Sequence, residues 1–184
     1  PEVYRGLMSR YFEAVRALIE RHGGTVEKFI GDAVMAVWGV PVAHEDDAER
    51  AVRAGLDLVA TVAQLGEDVG MPGLALRVGV VTGEVAVTLG ATGEGMVAGD
   101  AVNTAARVQT AAQPGTVWVD DETRHLTSAA VSYTDAGEHV LKGKAEPMRL
   151  FAARSVVAAV GLLGWAYATW RRPVSIRSRL LHRN

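Results

Sequence analysis

Apolar residues recur along the chain with two periods, one typical of helices and one typical of strands. Over residues 4–22 they return every three or four positions, which predicts an amphipathic helix ended by Gly23 and Gly24. Similar spacing predicts helices over about 45–65 and 100–112, and a short helix capped by Asp120 or Asp121. The predicted apolar stripes are Leu7, Tyr11, Val15, Leu18 and Ile19 on the first helix, and Ala48, Ala51, Val52, Gly55, Val59 and Val62 on the second. Runs of apolar residues between them predict strands at 74–82 and 85–89 with Gly83-Glu84 as their turn, and a strand at 116–119. They also predict a strand–turn–strand unit within 23–39 and two or three strands over 131–153. This mixture of helices and strands indicates an α/β domain in the broad sense, and more narrowly an α+β sandwich.

The second strand of the 23–39 unit has no polar residue from Ala33 to Trp38, so we expect it to be buried on both faces. Asp32 directly precedes it. An unpaired buried charge is unfavourable by several kcal/mol unless a cation or a metal accompanies it. Asp32 is therefore either a turn residue after Gly31 or a carboxylate with a bound cation.

Composition and charge exclude several kinds of protein. The 184 residues include no cysteine, so disulfides and thiolate metal sites are excluded. Five of the 19 basic residues are arginines within 171–184, which leaves 14 bases against 21 acids, or −7, for the rest of the chain. An acidic body is not typical of a nucleic-acid binder, so we expect no nucleic-acid partner. The absence of cysteine permits an intracellular setting, and we expect a cytoplasmic location.

Residues 154–184 are predicted to form a separate tail, apolar at first and then rich in arginine. The apolar run over 156–170 is shorter than the ~20 residues that usually span a membrane. We expect a weakly packed tail, with a membrane span or a membrane-surface helix as the less favoured alternative.

Four segments, taken in order, resemble the catalytic domain of class III nucleotidyl cyclases, the adenylate and guanylate cyclases. They are GGTVEKFIGDAVMAVWG at 23–39, RVGVVTGEV at 77–85, GDAVNTAAR at 99–107 and LKGKAEP at 141–147. Each segment alone is a weak signal, but four in order over about 5–152 are specific. The resemblance is closest to bacterial cyclase domains attached to larger signalling proteins, and it places the domain at residues 1–153.

The resemblance implies a ferredoxin-like sheet, mixed but mainly antiparallel, with helices packed on it. It also implies the conversion of ATP to 3′,5′-cyclic AMP and pyrophosphate with two Mg²⁺ or Mn²⁺ ions per site. Members of this family form head-to-tail homodimers with composite active sites, in which one chain supplies the metal carboxylates and the other supplies the Asn and Arg of the third helix.

The same resemblance assigns roles to individual residues. Asp32 would bind metal, Asn103 would orient the ribose and Arg107 would contact the pentavalent phosphate. Lys28 would reach the purine, which favours ATP over GTP, and Lys144, or less favourably Lys142, would bind the terminal phosphates. The alternatives are a solvated polar stripe on the third helix, with Ala101, Val102, Ala105 and Ala106 facing the core, and a pair of exposed loop lysines.

Two departures from the family pattern affect the predicted activity. Met96 stands where an aspartate usually reads the base, so we expect loose base selection. The upstream strand F-x-D-[IL]-x-G-F-[ST], which carries the first metal aspartate, has no counterpart here, and one carboxylate is a poor holder of two metals. We therefore expect an N-terminally incomplete or degenerate cyclase domain. The alternative function is a non-catalytic nucleotide-binding or dimerisation module, and guanylate cyclase activity is less favoured because of Lys28.

Overall fold

The computed structural model describes residues 2–88 and 97–157, with side chains from Arg5 onward. Met96 and nearly all of the predicted tail, including most of 156–170, lie outside these residues. Within the described ranges, no helix combines the length and the apolar character needed to cross a membrane. The elements in chain order are α1 (Glu2–Arg21), β1 (Thr25–Ile30), β2 (Ala33–Val37), α2 (Asp47–Asp68), β3 (Arg77–Val80), β4 (Ala86–Val87), β5 (Val97–Ala98), α3 (Asp100–Ala111), β6 (Thr116–Asp120), α4 (Asp121–Thr127), β7 (Val131–His139) and β8 (Met148–Val156).

The strands described form three sheets. The largest has the order β3-β6-β8-β7, with β3 parallel to β6 and the other two pairs antiparallel. β1 and β2 form an antiparallel hairpin, and β4 pairs with β5. The predicted class, a mixed and mainly antiparallel α+β fold, is confirmed.

The chain from 74 to 89 differs from its sequence-based prediction. We expected two long strands joined by a turn at Gly83-Glu84, but β3 ends at Val80 and β4 is only two residues long. β3 pairs with β6 and β4 with β5, so the two strands belong to different sheets. Gly83 helps explain the break, because a Cβ there would lie 3.0 Å from the Cβ of Ala101. The chain therefore leaves the sheet where α3 packs against it.

A hydrophobic cluster joins α1, the hairpin and the C-terminal half of α2. The predicted stripe of α1 is buried in it throughout, and side chains of the hairpin and of α2 complete it: Leu7, Tyr11, Val15, Leu18, Ile19, Leu58, Val62 and Leu65, with Val26, Phe29, Val34, Ala36 and Trp38 partly buried against them. We call this the hairpin cluster. Burial of apolar surface stabilises the folded state by about 25 cal/mol per Å². The shared burial of these side chains therefore holds α1 and the hairpin together as one packed unit.

The hairpin is less buried than the sequence predicted. Ala33 is exposed and the rest of β2 is only half-buried, so the expectation of burial on both faces is wrong. The physical reason is that, among the strands described, β2 pairs with β1 alone and packs one face on α1. Polar contacts fix the base of the hairpin: the Trp38 indole N–H and the Arg50 guanidinium both donate to the His22 carbonyl, at 3.0 and 3.3 Å.

A second cluster holds α3 and the loop between β7 and β8 against the large sheet. Its buried members are Val108, Ala112, Trp118, Leu141, Leu150 and Ala152. We call it the α3 cluster. The third cluster lies under α2 on the same sheet and contains Val52, Val117, Val119, Val131 and Ala153. The predicted stripe of α2 is right for Ala51, Val52, Gly55 and Val62, whereas Ala48 and Val59 are only half-buried.

Candidate functional site

The tip of the hairpin presents Asp32 to solvent. Gly31 has φ +64°, a left-handed conformation that glycine adopts without strain, and Asp32 follows it on the turn. Asp32 is exposed, so its carboxylate is not a buried charge that needs a cation to compensate it. A side chain of α1 holds the backbone of Asp32, because the Tyr11 hydroxyl donates to the Asp32 carbonyl oxygen at 2.8 Å. Burial raises the pKa of the Tyr11 phenol, and the Asp32 charge acts in the same direction.

Lys28 lies on β1 directly after a β-bulge. Val26 pairs with Ala36 and Lys28 with Met35, so Glu27 is the extra residue. Glu27 is buried, while Lys28 is half-buried. A bulge redirects the side chains that follow it and is frequent beside active sites. The sequence pattern did not predict this bulge, because bulge position depends on pairing with the opposite strand.

One face of α3 carries the polar residues that the sequence singled out. Asn103 is exposed and Arg107 is half-buried, one turn apart on the same face. The buried residues of this helix are Thr104 and Val108. The alternative of a solvated polar stripe placed four residues against the core, but Ala101, Val102 and Ala105 are half-buried and Ala106 is exposed. α3 turns one narrow face to the sheet and leaves the Asn103–Arg107 face accessible.

The loop after β7 lies against that face. Leu141 is buried in the α3 cluster, and the Lys144 backbone N–H donates to its carbonyl at 3.0 Å, which closes a turn. Gly143 has φ +76°, and a Cβ placed there would lie 3.3 Å from Nη2 of Arg107. The Arg107 guanidinium is thus packed beside the loop that carries Lys144. Lys142 is exposed, which agrees with the preference for Lys144.

Asp100, the first residue of α3, forms an ion pair with Lys144. Its Oδ2 also accepts a hydrogen bond from Thr104 Oγ1 at 3.4 Å. The hydrogen bond from Lys144 lowers the pKa of the Asp100 carboxyl, and the nearby Arg107 charge acts in the same direction. Nothing in the sequence indicated that Asp100 pairs with Lys144, which is 44 residues further along the chain.

The predicted site residues thus form two groups. Asp32 and Lys28 lie on the hairpin, which the hairpin cluster holds. Asn103, Arg107 and Lys144 lie on α3 and the following loop, which the α3 cluster holds. A groove of about 370 Å³ between α2 and the strands β6 and β8 is lined by none of them.

A divalent cation would find one suitable ligand at the hairpin. Mg²⁺ and Mn²⁺ prefer oxygen ligands, and the exposed carboxylate of Asp32 is free to approach one. Within residues 2–88 and 97–157, no three His, Asp or Glu side chains converge on a common point. The donor set therefore fits an ion that takes one carboxylate here and its other oxygens from water and from a phosphorylated substrate, a pattern common for Mg²⁺.

Comparisons with known proteins agree with the fold and show the family. Residues 1–153 match the family model described as the adenylate and guanylate cyclase catalytic domain. The chain is 35% identical over 156 residues to an uncharacterised protein of Rhizobium meliloti, covering 83% of this chain and 15% of that protein. It is 33% identical over 141 residues to an adenylate cyclase of Mycobacterium tuberculosis, covering 74% of this chain and 31% of that enzyme. The chain thus spans less than a third of these relatives.

Solved structures are similar over most of the chain. The adenylyl cyclase CyaB from P. aeruginosa superposes with a TM-score of 0.78 at 26% identity, covering 88% of this chain and 87% of that one. The guanylyl cyclase Cya2 gives a TM-score of 0.76 at 26% identity, covering 87% and 84%. The overall fold is therefore shared with structures of both kinds of cyclase.

Proposed function

The chain belongs to the family of adenylate and guanylate cyclase catalytic domains, and on that premise we propose that it converts ATP to 3′,5′-cyclic AMP and pyrophosphate. In this reaction the ribose 3′-oxygen bonds to the α-phosphorus, and the bond from that phosphorus to the pyrophosphate oxygen breaks. The observation that carries the proposal is the packing of Arg107 beside the Lys144 loop on the accessible face of α3.

That arrangement suits a triphosphate undergoing displacement at its α-phosphorus. A planar guanidinium makes several hydrogen bonds to phosphate oxygens, so Arg107 would contact the charge that develops there. Asn103, one turn away, carries both a donor and an acceptor and would orient the ribose. Lys144 would bind the β- and γ-phosphates as a compact charge.

Asp32 would hold a divalent cation over the same phosphates. When bound, Mg²⁺ or Mn²⁺ would lower the pKa of the 3′-hydroxyl and neutralise charge on the leaving pyrophosphate. The Tyr11 hydroxyl fixes the backbone of the turn, so the Asp32 carboxylate is presented from a supported position. The cytoplasm would supply both the nucleotide and the cation.

Two chains would form each active site. Membership of the cyclase family supports a homodimer in which Asp32 of one chain faces Arg107 of the other, and the placement of the hairpin group and the α3 group in different hydrophobic clusters is compatible with it. A twofold dimer would contain two equivalent sites. Under this proposal residues 1–153 are the catalytic domain and 154–184 a separate tail.

Lys28 supports ATP rather than GTP as the substrate. The bulge at Glu27 redirects the half-buried Lys28 side chain, and an ammonium group donates hydrogen bonds to the ring nitrogens of adenine. Met96 offers no useful acceptor to the base, so the proposed preference is modest.

The test is cyclic AMP formation by the full natural polypeptide with ATP and Mn²⁺, compared with its Asp32→Ala variant. We expect product from the parent and a loss of at least 100-fold in the variant, because the cation loses its carboxylate. Asp121→Ala is the matched control, since Asp121 is an exposed carboxylate at the start of α4. It should retain full activity.

Other outcomes would point to other functions. Binding of ATP without any cyclic product would contradict the proposal and favour a non-catalytic nucleotide-binding or dimerisation module. Faster turnover of GTP than of ATP would contradict the proposed role of Lys28.

A further inference from the structure

The side chain that would bind the terminal phosphates already has an anionic partner. Lys144 is paired with Asp100 and is only 24% exposed, whereas the Asp100 side chain is 71% exposed. Thr104 Oγ1, on the next turn of α3, donates to the same carboxylate at 3.4 Å. The Asp100 carboxylate thus occupies the position beside Lys144 that a phosphate oxygen would need.

The groups around Asp100 carry positive charge, as at a phosphate-binding site, and the Asp100 carboxylate is an anion among them. Lys144 comes from the loop after β7, Arg107 from the same face of α3, and the positive end of the α3 helix dipole adds partial positive charge. An incoming polyphosphate is attracted by these groups and repelled by the carboxylate among them.

We propose that Asp100 competes with the nucleotide phosphates for Lys144 and so sets the nucleotide affinity of the site. In the nucleotide-free protein Asp100 keeps Lys144 folded onto α3. When a triphosphate binds, Lys144 exchanges the carboxylate for phosphate oxygens, and the released Asp100 remains exposed to solvent. The inference rests on the proposed function, since it requires that Lys144 binds phosphates.

The exposure of the pair limits the size of the effect. Exposed ion pairs contribute little and are screened by salt, so replacing Asp100 by a neutral residue of the same shape should tighten polyphosphate binding by about 3- to 10-fold at low salt. The gain should shrink as salt is added, because it is electrostatic.

The experiment is isothermal titration of inorganic tripolyphosphate into the full natural polypeptide and its Asp100→Asn variant. This probe has no base or ribose, so it reports the phosphate contacts alone. Asp121→Asn is the matched control: Asp121 is also the first residue of a helix, is 66% exposed and is paired with Arg124. We expect tighter binding in Asp100→Asn and no change in Asp121→Asn.

Unchanged or weaker binding in Asp100→Asn would overturn the inference, and weaker binding would make Asp100 a positioning residue for Lys144. Equal gains in both variants would also overturn it, because they would reflect net charge alone. Lys144→Ala separates the two proposals. If it leaves tripolyphosphate binding intact, the phosphate role of Lys144 fails; if it weakens binding while Asp100→Asn has no effect, only the competition fails.

Discussion

At the scale of single residues, the turn that carries Asp32 depends on a side chain from another element. The sequence placed Tyr11 in the apolar stripe of α1, and its ring is indeed buried there. Its hydroxyl, however, donates to the Asp32 carbonyl, a contact across 21 residues that periodicity cannot predict. The identity of Asp32 was predictable from a local motif, whereas the support beneath it was not.

We expect Tyr11→Phe to loosen the turn without unfolding the protein. The variant keeps the buried ring and loses one hydrogen bond, so the free energy of unfolding should fall by about 0.5–1.5 kcal/mol. Because the Asp32 backbone is then less constrained, the Mn²⁺ concentration that gives half-maximal cyclic AMP formation should rise several-fold. Denaturant unfolding and a Mn²⁺ titration measure the two effects.

Tyr133→Phe is the matched control for Tyr11→Phe. The Tyr133 hydroxyl forms a hydrogen bond of 2.6 Å with Thr127 Oγ1, a contact between β7 and α4 that involves no residue of the hairpin. It should lose similar stability and leave the Mn²⁺ dependence unchanged. An equal shift of the Mn²⁺ dependence in both variants would mean that Tyr11 acts only through general stability.

At the scale of elements, the sequence predicted the helices and the hairpin, which depend on signals within one segment. It did not predict which distant strands pair with each other. The hairpin and the helices α1, α2 and α3 were predicted within a few residues, because each has its own periodicity and end signals. The strands over 74–89 were predicted as one hairpin, but β3 pairs with β6, about 40 residues away. The close contact of α3 with β3 at Gly79 likewise joins two separate segments, and it cannot be predicted from either segment alone.

Gly79 allows α3 to pack directly on β3. A Cβ there would lie 2.5 Å from both the Ala105 carbonyl oxygen and the Gln109 nitrogen. We expect Gly79→Ala to lower the free energy of unfolding by about 1–3 kcal/mol or more, because α3 must shift. Cyclic AMP formation should fall too, since α3 carries Arg107.

Gly73→Ala serves as the control, because a Cβ there meets nothing within 4 Å. Its stability should stay within about 0.5 kcal/mol of the parent. Chemical denaturation measures the free energy of unfolding of both variants. Equal values for Gly79→Ala and Gly73→Ala would refute a close contact between α3 and β3.

The cap of α4 predicts a specific pH dependence. Asp120 is buried and its Oδ1 accepts from the Thr123 N–H at 3.1 Å. Burial raises the pKa of the Asp120 carboxyl above its ordinary value of 3.8. The folded state therefore binds this proton more tightly than the unfolded state does. The stability that this proton contributes is fully present below the unfolded pKa and is lost as the pH rises through the folded pKa.

Asp120→Asn keeps the cap and removes the buried charge, since Asn and Asp cap helices about equally well. We expect the stability of the variant, relative to the parent, to increase as the pH is raised from about 4 to about 7. Thermal unfolding at a series of pH values measures this. A difference that does not vary with pH would mean that the Asp120 charge is well accommodated.

At the scale of the whole molecule, the order of four weak motifs predicted the family and the mixed fold, and both are confirmed. The separation of the predicted residues into a hairpin group and an α3 group is a property of the folded chain. How the two groups meet cannot be derived from one chain, because the other half of each site would come from a second copy.

The most direct measurement mixes two inactive variants of the full natural polypeptide, Asp32→Ala and Arg107→Ala, and assays cyclic AMP formation from ATP. If each site takes Asp32 from one chain and Arg107 from the other, a mixed dimer has one intact site. Random pairing of equal amounts should then restore about a quarter of the parent activity. If the variants exchange subunits and the mixture stays inactive, or if either variant alone keeps the parent activity, the composite site is contradicted.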